Sequence, residues 1–262
     1  VIRKTKQRCQ SREIFRSQRG PIQYLWKRSS ARRTLNICVD GKGGLSVLSP
    51  WTAPQSAVEA FLEEKARWID VKVREARRNH QLVQSRIFDH GQEFWFLGRK
   101  FPVTVRLSEV IRPRFHFTGR EWVAVIPEAL RHDEPRRRDA VRKKLIAWYR
   151  RQAGEILAGR VFHYSREMGI TPRKIAVRTQ KRMWGCCDFN TQTIRLNWQI
   201  VMSPLSVIDY VVVHEMCHLW EPNHSRRFWE KVRKFIPDFE SAKTWLKLNF
   251  LELALPGEAA GE

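Results

Sequence analysis

The chain contains no CxxC pair, and its cysteines number five: Cys9, Cys38, Cys186, Cys187 and Cys217. That odd, scattered set argues against a disulfide framework and against a cysteine-based zinc knuckle. It fits a reducing, cytoplasmic compartment. No apolar run approaches the ~20 residues a membrane helix needs, so no membrane partner is expected. The basic N-terminus lacks the apolar core of a signal peptide. There is no Gly-rich phosphate loop, no internal repeat and no low-complexity tract. The chain starts at Val1 rather than Met, and is therefore expected to begin inside a longer product. Acidic residues are scarce, 27 against 49 Lys and Arg, for a net charge of +22. Such an excess favours anionic partners, nucleic acid or nucleotides among them, although a basic surface also serves solubility alone.

What is present suits a folded chain with a sizeable core: 262 residues, 42% hydrophobic, with eleven Trp as core fillers. Residues 1–20 read as a flexible basic arm. Short alternating segments follow, "IQYLWKRS", "TLNICVD" and "GLSVLSP", the last two separated by the hairpin turn Asp40–Gly44. Residues 54–80 carry apolar residues at helical spacing, and 92–127 return to alternation. Residues 21–130 are thus predicted to be an antiparallel, β-rich domain with one helix, and 131–254 a second domain. The second domain opens with a long helix to about Met168, continues with the short strands "KIAVRT", "RMWGCC" and "TIRLNW", and ends in helices. Residues 255–262 read as a flexible tail. The fold class is α+β.

The stretch "VVVHEMCHLWEPNHSRRFW", 211–229, carries the chemistry. "VVVH" is β-branched, but its almost wholly apolar surroundings suit a central buried helix, and burial overrides propensity. On a helix, His214 and His218 lie about 40° apart around the axis, so two imidazoles reach one ion. Glu215 lies about 100° from His214 and about 60° from His218, beside the ion rather than on it, which suits a base acting on water. Catalytic zinc usually takes three protein ligands and keeps one position open. An unbroken helix would put His224 about 15 Å from His214 along its axis. Pro222 cannot continue the helix comfortably and disfavours helical geometry at Glu221, so "EPN" can turn His224 back beneath the other two. A helix starting near Ser225 would hold it there. Glu221 is the rival third ligand. One Zn2+ is the expected ion, with nickel, cobalt and manganese as alternatives.

At these residues the sequence from "KRMWGCC" to "SRRFW" closely resembles the YgjP-like metallopeptidase domain, a family related to SprT-like and gluzincin-type zinc proteases. "YLWKRSSARRTLNICV…GLSVLSP" and "FLEEKARWI" resemble its N-terminal part, so the likeness spans about residues 20–250. The resemblance implies a zincin-like catalytic domain with a small sheet and an HExxH active-site helix. It also implies zinc on His214, His218 and His224, with Glu215 catalytic. One departure is Cys186, where relatives commonly carry serine. The activity implied is that of an endopeptidase acting on a peptide or protein substrate. The alternatives are a nucleotide (UTP-type) pyrophosphohydrolase on the same metal site, and a basic nucleic-acid-associated zinc module. Candidate substrate or oxyanion contacts are Tyr210, one turn before His214, with Arg182, Trp184, Gly185 and Arg195 on the preceding strands. Gly185 in particular would let a substrate backbone approach closely. Cys217 reads as a small buried residue.

Overall fold

The computed structural model describes residues 8–180 and 183–256. Two compact units divide the chain, Val1–Ser85 and Arg86–Glu262.

The first unit holds a four-stranded sheet, β1 (Arg8–Ser17), β2 (Gly20–Ser29), β3 (Asn36–Val39) and β4 (Leu45–Pro50), in the order β1-β2-β4-β3. The expected flexible arm is a strand from Arg8 onward, paired with β2 from Arg8↔Ser29 to Ser17↔Gly20; residues 1–7 lie outside the described residues. Its period-2 pattern is masked by charge, because Phe15 alone among bulky apolar residues faces the core, packing with Tyr24, Trp26 and Ile22. The turn between β3 and β4 forms as expected. The Asp40 carboxylate accepts from the Lys42 and Gly44 N–H groups, and Gly43 takes φ +82°. Where one helix was expected there are two, α1 (Gln55–Glu64) and α2 (Ala66–Gln84), interrupted at Lys65. Val58, Leu62 and Ile69 lay them on Trp26, Leu45 and Val47.

The second unit begins with another four-stranded sheet, β5 (Glu93–Phe96), β6 (Arg99–Ser108), β7 (Arg114–Phe117) and β8 (Trp122–Pro127), ordered β5-β6-β8-β7. Both sheets are mixed rather than antiparallel, since β2 runs parallel to β4 and β6 parallel to β8. The division of the chain falls at Ser85, whereas the sequence pattern placed it near residue 130. The reason lies in the core: Phe96, Phe117 and Trp122 pack against Trp148 and Tyr149 of the long helix α3 (Glu134–Met168), with ring centroids 4.8–5.7 Å apart. Helix α3 starts at Asp133, whose side chain accepts from Arg136 N, and stops at Gly169 in the left-handed region.

A three-stranded sheet follows: β9 (Lys174–Arg178), β10 (Gly185–Asp188) and β11 (Thr193–Asn197), in the order β10-β11-β9. Strand β10 lies at its edge, antiparallel to β11. A 3-10 segment, Trp198–Met202, then leads into α4 (Leu205–Cys217), α5 (Arg226–Phe235) and α6 (Phe239–Leu253). Gly98, φ +77°, fixes where α4 begins: a Cβ there would lie 2.7 Å from Pro204 Cγ. The expected tail is anchored in part, because Leu255 is buried in the core. Residues 257–262 lie outside the described residues.

Candidate metal centre

Helix α4 is apolar on nearly every side. Val207, Ile208, Val211, Val212, Val213 and Met216 are all buried, and this burial holds its β-branched run helical. The helix ends at Cys217, with His218 as its cap and the turn residues Leu219 and Trp220 after that, so the break comes before Pro222 rather than at it. Met216 and Cys217 carbonyls accept from the N–H groups of Leu219, Trp220 and Glu221, closing the helix end. Helix α5 restarts at Ser225, whose hydroxyl accepts from Phe228 N at 3.3 Å.

This reversal brings His214, His218 and His224 together, each offering a ring nitrogen within 4.8 Å of the others. Nε2 of His224 lies 3.1 Å from Nε2 of His214. Two ligands about 2.05 Å from a tetrahedral ion stand about 3.3 Å apart, so the pair already has the separation that zinc requires. His218 Nδ1 is 3.0 Å from the Glu221 carbonyl, which accepts its proton and leaves Nε2 free to ligate. Burial first, then the neighbouring His218 and His224, push the His214 imidazole down to about 3. Burial likewise lowers His218, against the opposing bond to Glu221. Both rings are therefore neutral at pH 7, the state that ligates. His214 Nδ1 is buried with no partner among the described residues, so this ring lacks the outer hydrogen bond that orients His218. The donor set fits one zinc ion. Glu221, the rival ligand, contributes its backbone carbonyl to His218 and is not part of the cluster.

Phe228 is the floor of this cluster. Its fully buried ring lies 4.9, 4.5 and 4.8 Å from the rings of His214, His218 and His224. Trp229 stacks on the exposed His224 at 5.6 Å and on Phe239 at 5.2 Å. In the sequence both read only as the apolar side of α5. Their signal was position: they follow the third histidine by four and five residues, in the first turn of the helix that starts just after it.

Glu215 is 5% exposed, and burial pushes its carboxyl up to about 8. Its side chain passes directly over Gly185 of β10, where an added Cβ would lie 2.6 Å from Glu215 Cγ and 2.8 Å from Oε1. The close approach expected of a substrate at Gly185 is thus made by Glu215 itself. Side chains alternate along a strand. Cys187 therefore shares the Glu215 face, and burial followed by the nearby Glu215 charge raises its thiol to about 12. Cys186 and its cross-strand partner Arg195 face the opposite way, so neither reaches the cluster. Tyr210 does reach it: its ring lies edge-on to His214 at 5.7 Å, and burial raises its hydroxyl to about 12. Trp184 packs edge-on to Phe250 of α6 at 5.8 Å, and its carbonyl accepts from Asn197 N. Arg182 lies outside the described residues. Cys217 is fully buried.

Three convergent imidazoles beside a buried carboxyl are the parts of a metal-dependent hydrolase. The chain belongs to the YgjP-like family, whose metallopeptidase-domain model matches residues 33–249. Family membership implies a divalent metal, typically zinc. No curated protein matches the sequence. Among solved structures, the metallopeptidase zymogen abylysin of Pyrococcus abyssi is similar over 36% of this chain and 93% of its own, at 20% identity and a TM-score of 0.34. The zymogen jannalysin of Methanocaldococcus jannaschii is similar over 37% and 92%, at 22% identity and a TM-score of 0.29. Likenesses this partial add nothing to the family assignment. No helix among the described residues is long and apolar enough to cross a membrane.

Proposed function

We propose that the protein is a zinc-dependent endopeptidase with His214, His218 and His224 as ligands and Glu215 as general base. The observation that carries this reading is a three-imidazole cluster with a buried carboxyl, next in the chain to His214, lying against the edge strand β10. Zinc, when bound, supplies Lewis acidity and lowers the pKa of its water. Among the described residues β10 pairs only with β11, so its other edge can accept an extended peptide as an added strand. That pairing would bring the scissile carbonyl past Glu215. Glu215 takes a proton from the attacking water, whose oxygen bonds to the carbonyl carbon. As the C–N bond breaks, the same carboxyl delivers the proton to the leaving nitrogen. Tyr210, against His214, is the candidate hydroxyl donor to the developing oxyanion.

The test incubates the zinc-loaded protein with denatured casein and, separately, with UTP, comparing wild type with Glu215→Gln. Casein cleavage lost in the variant supports the reading. Pyrophosphate release lost in the variant, with casein intact throughout, transfers the same site to nucleotide hydrolysis.

A further inference from the structure

We propose that the outer face of the N-terminal sheet docks the phosphodiester backbone of a single-stranded nucleic acid. The β1–β2 register sets Phe15 opposite Ile22 on the core side, so Arg8, Arg12 and Arg16 share the other face of β1. All three are exposed, and four residues of strand space them about 13 Å apart in a line. Lys27, opposite Gln10, adds a fourth cation to that face.

One acid of α1, Glu63, reaches the β1–β2 turn, where its carboxylate accepts from the Gln18 N–H. Residues 8–50 contain nine Lys and Arg against two acids, Glu13 and Asp40. Glu13 pairs with the buried Tyr24 on the core side, and Asp40 is held by two backbone N–H groups in its turn. None of Arg8, Arg12, Arg16, Lys27, Arg28 and Arg32 forms an ion pair among the described residues.

At the Arg8 end the face opens into a hollow of about 690 Å³ lined by Arg8, Gln10, Lys27, Arg28, Ser29 and Arg32. Arg28 follows Trp26 by two residues and so faces the other way from the row, towards the core side, and only its strand position borders the hollow. Phosphate is favoured over other anions because the row is arginine, whose planar fork matches its oxygens. A linear row of exposed cations about 13 Å apart can track a flexible phosphodiester backbone.

The experiment measures fluorescence anisotropy of a labelled oligothymidylate with the full chain across a salt series. Binding is expected to weaken with salt, and Arg8→Gln/Arg12→Gln/Arg16→Gln to lower affinity about tenfold or more and flatten the log–log slope by about 2, at about 0.7 per phosphate contact. Lys27→Gln/Arg32→Gln, at the hollow, should weaken binding independently. A control, Arg166→Gln/Arg173→Gln/Lys174→Gln, removes equal exposed charge from the second unit and should change affinity less than about twofold. An equal loss in the control overturns the proposal, as does absence of saturable binding. Binding to phosphatidylserine vesicles without binding to the oligonucleotide overturns it too.

Discussion

Glu215 occupies the space that a methyl group on Gly185 would fill, its Cγ 2.6 Å from the position of that missing Cβ. The absence of a side chain at Gly185 therefore sets where the Glu215 carboxyl rests. Gly185→Ala is expected to push Glu215 aside while leaving the three histidines in place. A displacement of about 1 Å costs on the order of 10²-fold in rate. The check is kcat against zinc affinity: hydrolysis should fall by that order with the zinc dissociation constant unchanged.

Glu215 also bears on stability. Its folded pKa of about 8 lies above the ordinary 4.5, because burial disfavours the charged form. Between those values the folded metal-free protein holds a proton that the unfolded chain has lost, so stability falls as pH rises from 4.5 to 8. The loss is on the order of a few kcal/mol. In chelator, Glu215→Gln should be more stable than wild type at pH 8 and nearly equal to it below pH 4.5. Denaturant midpoints of the two proteins across that range measure the difference.

Metal removal makes a separate prediction. Dialysis against a chelator should abolish hydrolysis, and one equivalent of zinc should restore it. His224→Ala should lose tight zinc binding, because two imidazoles remain where three converge. Competition against a chromophoric zinc chelator reads both results. Zinc retained at wild-type affinity in this variant would remove His224 from the ligand set.

Phe228 should tune the metal without touching it. Because its ring contacts all three imidazoles, Phe228→Leu is expected to weaken zinc binding about 10- to 100-fold, as loss of an orienting partner does. Leu keeps most of the buried volume, so the fold should survive. The same zinc competition assay provides the number.

Asp89 gives acid sensitivity of the opposite sign. Burial alone would raise its carboxyl, but hydrogen bonds from Arg137, the His90 N–H and Arg138 outweigh burial and lower it. The contribution is present above the unfolded pKa and lost as pH falls through the folded one. Asp89→Asn should destabilise the protein by roughly 1–3 kcal/mol at neutral pH, and by much less below about pH 3. Thermal unfolding at the two pH values checks it.

The His-Glu-x-x-His spacing and the histidine six residues further on pointed, as sequence, to the three imidazoles that the structure brings together, although the helix breaks before Pro222 and not at it. That is local geometry: one helical turn and one break, set by residues close in the chain. Asp40–Gly44 as a turn, Ser225 as a helix start and the long α3 were legible for the same reason. Sequence pattern could not assign β5–β8 to the second unit, because that depends on Trp122 meeting Trp148 and Tyr149 across the core. Nor could it find the strand at Arg8–Ser17, where arginines interrupt the alternation and only pairing with β2 reveals the two faces. Arg195 was a plausible site residue until register turned it, with Cys186, away from Glu215. Which side chain lies over Gly185, and which ring underlies three histidines, are contacts between elements distant in sequence. Close packing selects such contacts only when the whole unit has closed.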